Sequence, residues 1–379
     1  MALLVALGAM VACRAPGNSS VKIAVVAPFQ GTDFLDGYRV LFAVRLAVRE
    51  WNAQGGVAGR PIELIALDDR GSAREGALQA KAVTLDPQVI GVIGHPGSAS
   101  ARAAAPIYHE AHLPAFLLGA AEQPFSSAPP FFLHPDTQQL AEGLARAATL
   151  LSAERLALVS GERTSPDAMQ ELRERLEAQG ATLALHSVLP EEPERLRALV
   201  EQLEQGAGLV VVAAQPADAA RFARAVQEGS GHIALFLLPE ATGAAFLPLS
   251  AGAGDGVYYL AQALAPQGAG PAGQAFHRAF RALSLAAAQN IEPGPWGALA
   301  YDATNFLLAQ AQGALTGSES VDRERLVLRL REGQPWQGVT GTWQFDERGQ
   351  RRLRALYVYR ISGLGYPGEL VEELSLSGR

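Results

Sequence analysis

The chain has 379 residues, of which 49% are hydrophobic and 18% charged, and its formal net charge is −7. That length exceeds one comfortable hydrophobic core and points to two domains, while the high apolar and low charged content excludes a disordered chain. The acidic balance, with no basic cluster interleaved with aromatics, excludes a nucleic-acid binder, which needs a basic face for phosphates.

In chain order, Ala2 to Ala12 form a short apolar segment that ends in Met10-Val11-Ala12-Cys13. It is too short to span a bilayer but suits the apolar core of a secretory signal over residues 1–13. Small residues ahead of the only cysteine resemble a bacterial lipobox, in which Cys13 becomes the lipidated first residue of the mature protein. Two features depart from that pattern: Met10 stands where leucine is usual, and no Lys or Arg precedes the apolar run. Residues 14–20, RAPGNSS, are turn formers suited to a flexible tether. A lone cysteine excludes an internal disulfide.

From Lys22 strands and helices alternate. KIAVVAP (22–28) reads as a strand, Asp36–Ala53 as a helix, PIELIALDD (61–69) as a strand and about Ala73–Leu85 as a helix. VIGVIG, from Val89, is a continuous apolar run bounded by turn residues, which suits a strand covered on both faces. A His-Pro-Gly turn follows, and Ser98 opens an alanine-rich helix as its expected cap. Free N–H groups and the helix dipole at such a start attract an anion, so a small anionic group is expected at the C-terminal edge of this strand. LPAFLLGAA (113–121) supplies a further strand, and the βαβα order implies a parallel sheet with right-handed crossovers.

FFLHPD (131–136) breaks the rhythm and is expected to carry the chain to another lobe. The alternation restarts with a helix at Gln139–Leu151, strand RLALVSG (155–161), a helix after Pro166 and strand TLALHSVL (182–189). It continues with a helix at Glu194–Gln205, strand GLVVVAA (208–214), a helix after Pro216 and strand HIALFLLP (232–239). A return crossing near GVYYLAQAL (256–264) precedes long helices at about 272–288 and 295–315, and the tail reads as hairpin strands around Asp346–Gly349. The expected fold is α/β, with two Rossmann-like lobes, parallel central sheets and a cleft between them. Residues 21–135 plus 263–338 are assigned to lobe 1, and 136–262 plus 339–379 to lobe 2.

Local catalytic motifs are missing from the sequence, while a Ser/His/Asp triad with distant partners stays open. No glycine-rich loop precedes a Lys-Ser/Thr pair, and GAGDG (252–256) lacks dinucleotide-loop spacing. His109 and His112 share a helix face without a carboxylate–histidine set to complete a metal site, and they read as solvated surface residues. Ser98 lies in G-S-A-S and not in the nucleophile elbow G-x-S-x-G. The expectation is a binding protein with no enzymatic activity, no metal and no cofactor.

Three segments carry a family resemblance. GYRVLFAVRLAVREWNAQGGVAGRPIELIALDD (37–69), VIGHPGSASARAAAPIY and AYDATNF (300–306) resemble, in order and spacing, the type I periplasmic solute-binding proteins of the branched-chain amino acid (Leu/Ile/Val) group of ABC importers. The resemblance implies two lobes joined by three crossing segments, closing on a small ligand as a Venus-flytrap. It places Ser98 where the ligand carboxylate is bound by a hydroxyl and a backbone N–H. Gly119-Ala120-Ala121 falls on a Gly-Ala-Thr-like turn; there Ala120 keeps the carbonyl for the ligand ammonium, while Ala121 lacks the threonine hydroxyl. Glu240 falls on an acidic position that pairs with the ammonium.

Two positions depart from the family: Ser165 stands where a tyrosine usually covers the ligand, and Gln215 occupies another frequently aromatic site. Trp296 and Phe34 are candidate walls, with a core role the simpler reading for Trp296. The resemblance implies a monomeric extracytoplasmic lipoprotein that presents an amino-acid-like solute to an ABC permease. A ligand-sensing receptor of the same fold is the alternative. Branched-chain amino acids, amides, urea-like solutes and aromatic acids all stay open as ligands.

Overall fold

The computed structural model describes residues 20–120, 130–229, 233–288, 290–315, 322–363 and 365–377. Residues 1–19, with the expected signal, Cys13 and most of the tether, and Ala121 lie outside the described residues.

The first lobe is a five-stranded sheet of β1 (Val21–Ala27), β2 (Ile62–Asp68), β3 (Val89–Gly94), β4 (Ala115–Leu117) and β5 (Phe131–Phe132), in the order β2-β1-β3-β4-β5. All its pairings are parallel. The crossovers are α1 (Phe34–Ala53), α2 (Ala73–Thr84) and α3 (Ser98–Glu110). All six residues of β3 are buried, because helices cover both faces of the sheet. On one face Val25, Ile93 and Phe116 pack with α1; on the other Val26, Val92 and Leu117 meet Ala101, Ala104 and Ala105 of α3. The alanine content of α3 lets α2 approach closely: a Cβ at Gly76 would lie 2.7 Å from that of Ser100.

The chain then crosses to the second lobe with α4 (Thr137–Leu150), β6 (Arg155–Ser160), α5 (Pro166–Ala178), β7 (Thr182–Val188), α6 (Pro193–Gly206) and β8 (Leu209–Ala213). It continues through α7 (Pro216–Glu228), β9 (Ala234–Leu237), a 3₁₀ turn at Pro239–Thr242, α8 (Phe246–Ser250) and β10 (Tyr258–Ala261). A second crossing returns α9 (Gly270–Ala286), α10 (Gly294–Leu315) and α11 (Arg323–Glu332) to the first lobe, where Phe280, Leu307 and Leu326 join its core. After the short hairpin β11 (Trp336–Gly338) and β12 (Gly341–Trp343), a third crossing delivers β13 (Ala355–Ser362) and β14 (Gly365–Ser375). They complete a seven-stranded sheet of order β14-β13-β10-β9-β8-β6-β7, in which only the β13 and β14 pairings are antiparallel.

The structure departs from the sequence expectations in four places. FFLHPD first contributes β5 to the lobe 1 sheet and crosses afterwards. The segment after residue 339 does not pass at once to lobe 2: Trp343 and Phe345 are buried in the first core, with Phe345 and Phe131 ring centroids 4.8 Å apart. Burying these aromatics against Phe116 and Phe306 holds the segment on lobe 1. Asp346–Gly349 makes a turn closed by one bridge, Phe345 to Arg351, and the long hairpin turns instead after Ser362. Ser98 does not cap α3 with its side chain; Gly97 holds the N-cap position.

Candidate functional site

The site on lobe 1 is built at the C-terminal ends of β3 and β4. His95, next after β3, has φ +48°, and its N–H donates to Val26 O at 2.7 Å while its carbonyl accepts from Gly119 N at 2.8 Å. Its imidazole sits between the Asp69 carboxylate, 2.9 Å from Nδ1, and the Tyr108 hydroxyl, 2.8 Å from Nε2. All three side chains are fully buried. Burial pushes the Asp69 carboxyl up, but the hydrogen bonds from His95 and Gly71 outweigh it and hold Asp69 below its ordinary value. Burial, and then the Asp69 charge, push the Tyr108 phenol well above its ordinary value, so it stays a hydroxyl.

This scaffold sets the turn that carries Ser98. Rather than capping its helix, the Ser98 Oγ accepts the Ala120 N–H at 3.1 Å, which leaves its own O–H to donate into the cleft. The approach of the two loops needs glycine at 119, where a Cβ would lie 2.8 Å from Pro96 O and 2.9 Å from Ser98 N. The Ala120 carbonyl faces Arg102 Nη1 at 3.5 Å. Burial lowers the Arg102 pKa, and Glu240 across the cleft opposes that shift.

From lobe 2, the 3₁₀ turn after β9 presents Glu240, whose Oε2 lies 3.3 Å from Nε2 of buried His134. The other ring nitrogen of His134 is 2.8 Å from Pro135 O. Gln215 precedes Pro216 at the start of α7 and makes no capping bond there. Ser165 caps α5 by accepting from Ala168 N at 3.4 Å.

Ser98 and Glu240, from opposite lobes, line one cavity of about 50 Å³, with Trp296 and Asp33 from lobe 1 and Gln215 and Arg163 from lobe 2. A wider groove of about 1740 Å³ runs past Ser98, Ala120 and Glu240 and takes in Ser165. Of the residues expected at the site, the structure brings Ser98, Ala120, Glu240, Gln215 and Ser165 to these two spaces. Trp296 both lines the cavity and belongs to the core, with 3% exposure. Phe34 packs edge-on against Tyr38 and is absent from the described lining.

Several lining groups escape the sequence reading. Asp36 Oδ1 accepts from Arg39 Nη1 at 2.8 Å, and its Oδ2 accepts the Ala244 N–H of lobe 2, also at 2.8 Å. Asp33 stands beside it. A signal was present, since both acids flank Phe34 in GTDFLDG at the mouth of the first helix. Among the described residues no group of three His, Cys, Asp or Glu could hold a metal ion, and no helix is long and apolar enough to cross a membrane.

The family described as periplasmic binding protein matches residues 20–365. The chain belongs to this family. As a type I periplasmic binding protein it is 24% identical over 358 residues, 92% of this chain and 91% of the other, to an amino acid binding protein of Pseudomonas aeruginosa. Its fold is shared by the branched-chain amino acid transporter substrate-binding protein LivJ of Streptococcus pneumoniae in complex with isoleucine, at 19% identity and TM-score 0.78, covering 93% of this chain and 99% of that one. It is shared too by a solute-binding protein of R. palustris in complex with benzoate, at 17% identity and TM-score 0.75, covering 95% and 97%. Members of this family bind solutes, and the family implies an extracytoplasmic location.

Proposed function

We propose that this periplasmic binding protein captures a small amino-acid-like solute between its lobes and presents it to an ABC permease. The observation that carries the reading is the convergence of Ser98, at the first turn of α3, and Glu240, from the other lobe, on one cavity. The Ser98 hydroxyl and the N–H groups opening α3 suit a carboxylate. The Glu240 carboxylate suits an ammonium, with the Ala120 carbonyl as its second acceptor. Ala121 adds no hydroxyl, and Ser165 and Gln215 offer no stacking wall, so Trp296 supplies the aromatic surface. Ligand contact with both lobes shifts the hinge equilibrium toward the closed form. Lipidation at Cys13 would hold the protein on the outer face of a membrane next to its permease, as a monomer.

Native mass spectrometry of the purified protein, followed by calorimetric titration with the twenty amino acids, tests this. Ser98→Ala and Glu240→Gln are each expected to weaken binding by about tenfold or more, the worth of one hydrogen bond to a charged group. Binding unaffected by either change would remove the zwitterion clamp.

A further inference from the structure

The cavity is acidic, which does not suit a branched aliphatic side chain. Asp33, Asp36 and Glu240 line it against one lining guanidinium among the described residues, that of Arg163. Two of the three acids are matched within the protein. Asp36 has Arg39 and the Ala244 N–H, and Glu240 has His134. Asp33 is not matched in this way. Its carboxylate receives a hydrogen bond from the neighbouring Thr32 hydroxyl at 3.3 Å. Arg163 is largely exposed and sits 4.0 Å from Asp218 of its own lobe, which divides its charge. Burial, and next the Asp36 charge, raise the Asp33 carboxyl above its ordinary value against the weaker pull of Arg163, so the site disfavours its ionised form. An aliphatic ligand would deepen that penalty by removing water, whereas a cation would relieve it.

We infer that the cavity selects a ligand with a second positively charged nitrogen group, a basic amino acid, and that Asp33 is the residue that specifies it. This rests on the interlobe clamp proposed above: Glu240 takes the α-ammonium and Asp33 the ammonium or guanidinium at the far end. A site built around a weakly matched carboxylate rejects ligands that leave it without a cation, which is how polar pockets reach high selectivity. The polar Gln215 and the missing second-lobe aromatics fit a pocket that is not shaped for leucine.

The test is calorimetry on the mature chain with arginine, lysine, leucine, isoleucine, agmatine and putrescine. Arginine or lysine is expected to bind at least about tenfold tighter than leucine and isoleucine, and Asp33→Asn to erase that preference, as loss of one charged hydrogen bond would. A thermal melt of D33N alongside shows that it is folded. Leucine or isoleucine binding as tightly as both basic amino acids overturns the inference and leaves the amino-acid clamp standing. Agmatine or putrescine binding tightly while every amino acid fails supports the cation subsite and removes the clamp. A preference for arginine or lysine unchanged in folded D33N overturns the role of Asp33, and no binding by any of the six overturns the inference.

Discussion

The Asp36 carboxylate, in the first turn of α1, joins the two lobes directly by accepting the Ala244 N–H at 2.8 Å, while Arg39 holds its other oxygen at 2.8 Å. Gly243, just before Ala244, packs so closely that a Cβ there would lie 2.7 Å from Asp36 Oδ2. In this arrangement the cavity between the lobes measures about 50 Å³, room for only a few water molecules. An amino acid therefore fits in this cavity, as distinct from the wider groove beside it, only when the lobes part, and this bond is one contact that must break.

Asp36→Ala is expected to raise the open population of the ligand-free protein, read as a larger radius of gyration by small-angle X-ray scattering. It also takes the carboxylate partner from Arg39, whose side chain is 10% exposed, and leaves it the Glu292 carbonyl, so urea unfolding should show a loss of about 3 kcal/mol, the low end for breaking a buried ion pair. Asp36→Asn keeps an acceptor for Ala244 and should stay more closed than the alanine variant. Scattering curves that match wild type for both variants would show that the bond does not hold the lobes.

The Asp69–His95–Tyr108 chain ties the ends of β2 and β3 to α3, and its geometry fixes the turn carrying Ser98. Tyr108→Phe removes the partner of His95 Nε2 without opening a cavity. Leaving that buried nitrogen unpaired should cost about 1–3 kcal/mol in urea unfolding. Because the turn is then less firmly set, ligand affinity should fall in the same variant although Tyr108 lies outside the described lining. Unchanged affinity with reduced stability would restrict the chain to a purely structural role.

Gly119→Ala probes the same loop from the other strand. The added methyl meets Pro96 O at 2.8 Å and Ser98 N at 2.9 Å, both backbone atoms that cannot rotate away. Overpacking of this kind costs about 1–3 kcal/mol, and the displacement falls on the Ser98–Ala120 contact. The expected calorimetric result is weaker binding with a lowered melting temperature. Wild-type affinity would mean that the two loops can separate without harm.

Those variants separate what the sequence conveys from what it hides. The unbroken apolar run of β3 announces a strand covered on both faces, and the residues at its C-terminal end, with those after β4, are close in sequence to that signal. The place of Ser98 at the cleft was readable from that signal, and those of Ala120 and Glu240 from the family resemblance. Asp36 and Ala244 are 208 residues apart, and His134 and Glu240 106, so their contacts exist only once the lobes are in place. The role of Ser98 was misplaced for the same reason: a serine at a helix start suggests a cap, and only the fold brings the Ala120 N–H to it. Within the fold, α11 hides because its buried stripe is just Leu326, Val327 and Leu330 among charged residues. The 3₁₀ turn and α8 are too short to show a period at all.

Asp69 and Asp33 respond to pH with opposite signs, which gives a last test. The Asp69 carboxyl is held below its ordinary value of 3.8, so its stabilisation is fully present above that pH and is lost as pH falls through the lower folded value. Asp33 is raised above 3.8, so the folded ligand-free protein binds its proton more tightly than the unfolded chain does, and stability falls as pH rises through that window. Asp69→Asn should therefore flatten the acid limb of the stability profile, measured by urea unfolding from pH 3 to 7, although it also weakens the bond to His95 at every pH. Asp33→Asn should do the reverse and make the ligand-free protein more stable near neutral pH than wild type. That gain should vanish when a saturating basic amino acid is present, because the cation stabilises Asp33 in its charged form and has no partner in the variant. A ligand-free D33N protein that is less stable than wild type at pH 7 would show that Asp33 serves the fold and not the ligand.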